Sequence, residues 1–176
     1  MAFLGLKIPA ETCRLFSDID VPGNRVKTQT YHVTLLFLGK DLPIDVLADA
    51  VKSTYKVTST TKPFSVRTSR VTCFPPTKDE TVPIIARVES DPLHDLRDRL
   101  VKSFEVGQVA FDNTYPQFKP HVTLAYADTE LEDEERIPTT IEWGAHELVL
   151  WGGDDGDKKL TATFPFTLKA EPVNSE

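Results

Sequence analysis

The chain has 176 residues, of which 40% are hydrophobic and 27% charged, and its formal net charge is −7. This length and composition are typical of one globular domain, and no apolar run approaches the roughly 18 residues needed to span a bilayer. The acidic balance argues against broad attraction to the backbone of long nucleic acid, which usually requires a basic face. The acidic balance is still compatible with a small anionic ligand that is bound by local hydrogen-bond donors.

The first half of the chain predicts two strand–helix units followed by two strands. A strand over residues 2–8 precedes a short helix over Ala10–Ser17, and the apolar segment TYHVTLLFLG predicts a strand that ends at Gly39. Asp41 and Pro43 then open a second helix, and strands are expected over residues 64–74 and 82–88. The apolar residues that recur at helical spacing in the second helix are Val46, Leu47, Ala50, Val51 and Tyr55.

The second half repeats part of this order. Asp91 and Pro92 are predicted as the N-cap and first turn of a helix. A strand containing HVTL follows, and the acidic segment DTELEDEER (residues 128–136) reads as a solvated loop or helix face. The runs HELVLW and KLTATFPF predict a closing hairpin joined by GGDDGDK. The apolar stripe of the helix consists of Leu93, Leu96, Leu100, Val101 and Phe104.

This recurring order predicts a pseudo-duplicated α/β fold in one domain over residues 1–168, with a tail over 169–176. Cys13 and Cys73 lie far apart without metal-like spacing, so we expect them to be reduced, buried apolar residues. The N-terminal segment turns polar too early for a secretory signal. We therefore expect a cytoplasmic location, or the host cytoplasm for a viral protein.

The tetrapeptide His-Val-Thr-Leu occurs twice, at residues 32–35 and 121–124. Alternation along a strand puts His32 and Thr34 on one face, and His121 and Thr123 on the corresponding face of the second copy. The opposite, apolar faces are expected to enter the core. They comprise Tyr31, Val33, Leu35 and Phe37 in the first copy and Phe118, Pro120, Val122, Leu124 and Tyr126 in the second.

Two imidazoles and two hydroxyls around one cavity are suited to phosphodiester chemistry. A neutral imidazole accepts the proton of the attacking hydroxyl or water, and a protonated one donates to the leaving oxygen, since a histidine pKa of about 6.5 allows both forms. The threonine hydroxyls are placed to hold non-bridging phosphate oxygens. No metal or other cofactor is required. One His-x-Thr is more often structural than catalytic, but two in corresponding halves favour a functional pair.

The paired motifs resemble the signature of the 2H phosphoesterase superfamily, the LigT-like group of 2′-5′ RNA ligases and cyclic phosphodiesterases. The segments FLGLKIPAE, LHDLRDRLVKSFEVG…FKPHVTLAYA and ELVLW…LTATFPF are similar to the family's opening strand, second helix with its motif strand, and final hairpin. The resemblance implies a bilobal α+β fold of two antiparallel sheets with outer helices and a central cleft. It also implies that His32 and His121 form the acid–base pair and that Thr34 and Thr123 hold phosphate.

The family members act without metal on 2′,3′-cyclic phosphates, 2′-5′ linkages or related cyclic and oligomeric nucleotides, so the resemblance implies a hydrolase of this kind. Where the family often has a small polar residue, this chain has Trp151, a candidate for stacking on a base. Phe74 has similar standing, and Lys119 and Arg70 are candidate sources of positive charge. Rim or core packing for the aromatics and solvated surface for the cations are the competing interpretations.

Four alternatives to the leading function stay open. They are a viral-type degrader of cyclic or 2′-5′ oligonucleotide immune signals, an RNA 2′-5′ ligase, a metal-dependent hydrolase and a non-catalytic nucleotide-binding module. The expected partner is a small nucleotide or oligonucleotide substrate. We expect no binding to long duplex DNA, no membrane association and a monomer.

Overall fold

A computed structural model describes residues 1–152 and 159–168. The predicted turn at 153–158 and the predicted tail at 169–176 lie outside the described residues. Within the described ranges the elements, in chain order, are β1 (Ala2–Lys7), α1 (Ala10–Ser17), β2 (Asn24–Arg25), a 3₁₀ turn (Thr28–Thr30), β3 (His32–Gly39), α2 (Ile44–Thr58), β4 (Phe64–Cys73), β5 (Val82–Glu89), α3 (Asp91–Val106), β6 (His121–Ala127), β7 (Glu135–Ala145), β8 (Glu147–Gly152) and β9 (Lys159–Pro165).

The strands form two antiparallel sheets. The order in the first sheet is β3-β1-β8-β9, and the order in the second is β2-β6-β5-β4-β7. The strands that carry the repeated tetrapeptide, β3 and β6, belong to different sheets and approach each other with Cα atoms within 8 Å. The expected α+β architecture of two antiparallel sheets with helices is confirmed. No described helix is long and apolar enough to cross a membrane.

The helices form where the apolar spacing predicts them, with two differences in detail. In α3 the stripe from Leu93 to Phe104 is buried except for the half-buried Val101. Ser90 is the N-cap, and Asp91 is already the first helical residue. In α2 the predicted Tyr55 is 63% exposed. The buried face of α2 includes Thr54, whose hydroxyl bonds back to the carbonyl of Ala50 at 2.8 Å and thereby satisfies a polar group inside the core.

Strand β7 was not predicted from the sequence, because its first residues fall in the acidic segment at 128–136. That segment was expected to be a solvated loop or helix face, yet Glu135 and Arg136 begin a strand of 11 residues. The second half of β7 packs on the core, where Ile141, Trp143 and Ala145 are buried in alternation with exposed residues. This period of two is the pattern of a strand with one face on the core.

A β-bulge follows the His-Val-Thr triplet in both β3 and β6. In β3, Thr34 pairs with Gly5 of β1 and Leu36 pairs with Leu4, so Leu35 has no partner of its own. The extra residue sends two consecutive side chains into the core and reverses the alternation beyond it. Phe37, which alternation places in the core, is consequently 42% exposed on the histidine side.

The bulge in β6 has the same position and the same effect. Thr123 pairs with Ile85 and Ala125 pairs with Ile84, which leaves Leu124 as the extra residue. Tyr126 is then 42% exposed on the histidine side, whereas the sequence predicted it in the core. Both predictions for the aromatic residues after the bulge were wrong for this one reason.

The buried side chain of Arg97 joins α3 to β3 and to the segment that precedes β6. Its Nε donates a hydrogen bond of 3.0 Å to the carbonyl oxygen of Leu35, the bulge residue of β3. Its guanidinium lies 5.7 Å from the ring centre of Phe118, shortly before β6. Burial lowers the pKa of Arg97 from its ordinary value. The bond occupies a carbonyl next to the point where the bulge interrupts the ladder between β1 and β3.

We expect Gly5→Ala to destabilise the protein, because β1 has no room for a side chain opposite the bulge. A Cβ at this position would collide with the carbonyl oxygen of Val33 and lie 3.1 Å from the ring of Trp151. We expect a loss of about 1–3 kcal/mol in the free energy of unfolding, measured by urea denaturation. The matched control is Gly144→Ala, whose Cβ would meet only the movable tip of His146. Equal stability of the two variants would contradict the explanation.

Candidate active site

His32 and His121 are the first residues of β3 and β6, and their rings are held in the same way. Nδ1 of His32 lies 2.8 Å from the carbonyl oxygen of Thr30, and Nδ1 of His121 lies 2.7 Å from that of Lys119. A carbonyl only accepts, so Nδ1 carries the proton in both rings. In the neutral form of each imidazole the lone pair is therefore on Nε2.

Aromatic side chains pack against both imidazoles. The ring centre of His32 lies 4.9 Å from Phe3 and 5.5 Å from Trp151, which is itself stacked on Phe3. Trp151 is 9% exposed, so most of its ring is covered. The ring of His121 meets Phe74 edge-on at 4.7 Å. The structure therefore places both predicted aromatic candidates directly beside the histidines.

A basic residue lies directly opposite each histidine on the neighbouring strand. Lys7 of β1 pairs with His32, and Arg87 of β5 pairs with His121. Directly opposed residues of antiparallel strands share a face, with Cβ atoms roughly 4.5–5.5 Å apart. Both basic residues are exposed. Neither residue was predicted from the sequence, because strand register between distant segments leaves no local signal.

The threonines and the aromatic residues after the bulges complete the histidine-bearing faces. Thr34 and Thr123 are partly buried, two positions beyond the histidines. Phe37 and Tyr126 follow on the same faces beyond the bulges. The sequence did contain a signal for this pair: the repeat has an aromatic residue at its sixth position in both copies, as HVTLLF and HVTLAY.

The remaining candidates are placed as follows. The side chain of Lys119 is exposed, and its carbonyl orients His121. Arg70 forms an ion pair with Glu134 at 3.1 Å. His94, which has no partner at motif spacing in the sequence, packs against the ring of Phe118 at 5.2 Å. Among the residues that the structure describes, no three His, Cys, Asp or Glu side chains cluster as a metal site would require.

Burial changes the pKa of His121. Burial lowers its pKa from the ordinary value of about 6.5, and the hydrogen bond to the carbonyl of Lys119 opposes this shift without cancelling it. The neutral form of His121, with its lone pair on Nε2, is therefore favoured near neutral pH.

The two cysteines are free, and only Cys13 is buried. Burial raises the pKa of the Cys13 thiol.

Comparison with known proteins relates this arrangement to one family. A family model described as the 2′-5′ RNA ligase superfamily matches residues 21–157, a range that contains both His-Val-Thr-Leu copies. No curated protein gives a significant sequence match.

Several solved structures share the fold over nearly the whole chain. The protein TT0787 of Thermus thermophilus is 21% identical, with a TM-score of 0.77 over 94% of this chain and 97% of its own. A structure described as a phosphoesterase is 16% identical, with a TM-score of 0.74 over 95% of this chain and 98% of its own. LigT of E. coli complexed with 3′-AMP is also 16% identical, with a TM-score of 0.72 over 95% and 98%.

The lowered pKa of His121 predicts a contribution to the pH dependence of stability. The unfolded chain binds a proton at this position more readily than the folded chain does. The free energy of unfolding should therefore have its full value above about pH 6.5 and fall as the pH drops through the folded-state pKa of His121. Urea unfolding of wild type and His121→Gln at about pH 7.5 and 5 measures this contribution.

In His121→Gln, we expect this part of the decrease to disappear. The matched control is His146→Gln, which changes an exposed histidine between β7 and β8 and should retain the decrease due to His121. The same pH dependence in wild type and His121→Gln would show that His121 does not titrate as its burial requires.

Proposed function

This chain belongs to the 2′-5′ RNA ligase superfamily, and from that membership we propose that it is a metal-independent phosphodiesterase. The proposed substrate contains a 2′,3′-cyclic phosphate, a 2′-5′ linkage or a related cyclic or oligomeric nucleotide. One observation carries the proposal: two histidines at the starts of the two motif strands have the same tautomer, each fixed by the carbonyl two residues earlier. Such a pair suits acid–base catalysis, which phosphate binding alone does not need.

We assign the role of general base to His121, because burial lowers its pKa and favours the neutral form whose Nε2 accepts the proton of the attacking water. The role of general acid then falls to His32. Protonated His32 donates its Nε2 proton to the leaving ribose oxygen. The new bond joins the water oxygen to phosphorus, the bond from phosphorus to the ribose oxygen breaks, and a cyclic diester becomes a monoester. Each turnover transfers one proton to His121 and one from His32, and solvent restores both.

The neighbouring residues supply the phosphate site. The hydroxyls of Thr34 and Thr123 donate to non-bridging oxygens, where negative charge increases in the transition state. Lys7 and Arg87, opposite the two histidines, add positive charge on both sides. Electrostatic preorganisation of this kind stabilises the transition state without a metal.

The aromatic residues divide into two groups by exposure. Phe37 and Tyr126, each 42% exposed, present ring surface on which a nucleobase can stack. Trp151 and Phe74 pack against the imidazoles, and we assign to them the positioning of His32 and His121. The complex of E. coli LigT with 3′-AMP supports a nucleotide as occupant of such a cleft.

The test of this proposal is turnover in the presence of a chelator. The purified protein is incubated with 2′,3′-cyclic nucleotides, 2′-5′ oligoadenylates and cyclic di- and trinucleotides, and the products are identified. We expect at least one substrate to be cleaved, and we expect His32→Ala and His121→Ala each to lower kcat by about 10²–10⁴-fold. Unfolding curves of both variants confirm that the fold is retained.

His146→Ala, at an exposed position, is the matched control and should turn over at the wild-type rate. Near-normal rates in either motif variant would refute the acid–base mechanism. Activity that disappears with the chelator and returns with a divalent ion would favour a metal-dependent hydrolase. Tight nucleotide binding without turnover would favour the binding module.

A further inference from the structure

Four basic or titratable residues form a row across the second sheet. Arg87 of β5 pairs with His121 of β6, Arg70 of β4 pairs with Arg87, and Arg136 of β7 pairs with Arg70. Directly opposed residues of antiparallel strands project from the same face. The row therefore begins at a proposed catalytic histidine and continues through three arginines on three successive strands.

The spacing of the strands gives the row its length. Neighbouring strands lie roughly 4.8 Å apart, so Arg136 is about 14 Å from the backbone of His121. Arg87 and Arg136 are exposed and Arg70 is partly exposed. The row is long enough to contact several groups of one extended ligand at the same time.

The row has a net positive charge despite the acidity of the whole chain. Glu134 bridges two of its members, with a distance of 2.8 Å to Arg87 and 3.1 Å to Arg70. The hydrogen bond from Arg87 is the main cause that lowers the pKa of Glu134, so its carboxylate remains ionised. Glu134 orders both guanidinium groups. Each guanidinium has five N–H donors, so the donors that do not contact Glu134 are available to a ligand. Within the described part of the chain, Arg136 has no ion pair.

A groove lies at the far end of the row. Thr68 pairs with Ile141 but Arg70 pairs with Arg136, so residues 137–140 of β7 leave the ladder opposite Ser69. The groove between β4 and this part of β7 has a volume of about 610 Å³. This volume is within the range of roughly 300–1,000 Å³ that is usual for small-ligand sites. The polar lining of the groove consists of Arg67, Ser69, Arg70, Glu89, Arg136 and Thr140. Glu89 is paired with Arg67 at 3.2 Å, so Arg70 and Arg136 supply the positive charge on offer to a ligand.

We propose that Arg70 and Arg136, the members of the row beyond Arg87, bind the phosphates next to the scissile one in an oligonucleotide, and that the groove accepts a distal nucleotide. The preferred substrate is then a short oligonucleotide of about three units and not a mononucleotide. This inference rests on the proposed function, because the scissile phosphate at His121 sets the start of the row. Bidentate donors in a line match consecutive phosphates along one strand.

The test compares the binding of two product analogues that differ only in length. Calorimetric titration measures the affinity of a triadenylate ending in a 2′-phosphate and that of adenosine 2′-phosphate. We expect wild type to bind the trinucleotide at least tenfold more tightly, and we expect Arg136→Gln and Arg70→Gln each to reduce this ratio several-fold. The slope of log affinity against log salt concentration for the trinucleotide should become shallower by about 0.7 for each phosphate contact removed.

The matched control is Arg14→Gln, on the exposed side of α1, which should leave the ratio and the slope unchanged. Equal affinities for the two analogues in wild type, or an equal loss in Arg14→Gln, would overturn the inference and leave the proposed function intact. Conversely, a protein that prefers the trinucleotide through Arg136 but cleaves no diester would retain the row as a phosphate-binding surface and refute the proposed function.

Discussion

The site depends on one backbone constraint, the β-bulge that follows His-Val-Thr in both β3 and β6. A regular strand with this sequence would turn Phe37 and Tyr126 into the core and would place Leu36 and Ala125 on the face of the histidine and threonine. The extra residue, Leu35 or Leu124, buries two neighbouring side chains and reverses the alternation beyond them. Each strand can therefore supply a continuous apolar surface to the core and three polar or aromatic groups to the opposite side.

The bulge in β3 is stabilised by a contact from the other half of the chain. Bulged backbone leaves the ladder locally disrupted, and a carbonyl without a partner inside a protein costs roughly 1–3 kcal/mol. Arg97 meets the carbonyl of Leu35 and also packs over Phe118, which precedes β6. The geometry of one motif strand is thus coupled to the entry of the other, although the strands belong to different sheets. The guanidinium of Arg97 is therefore buried because it hydrogen-bonds the backbone carbonyl of Leu35.

The parts of the fold that the sequence predicted are those with local, strongly periodic signals. The buried stripe of α3 and the two motif strands are of this kind, because apolar spacing alone determines which face turns inward. The bulges were not predictable in this way, since they arise from pairing with Gly5 and Ile85 on distant segments. Lys7 and Arg87 were missed for the same reason: only strand register places them opposite the histidines. Strand β7 was not predicted because its first residues belong to the acidic segment at 128–136.

The overall charge of −7 and the arginine row are compatible because they act over different distances. At physiological ionic strength charges separated by more than roughly 8 Å are largely screened, so a phosphate on the row is attracted mainly by the arginines in contact with it. In the proposed binding mode, a long duplex would in addition lie against the acidic remainder of the surface, where it would gain no attraction. That mode would therefore favour a short strand, because the positive charge of the row extends over the length of only a few nucleotides.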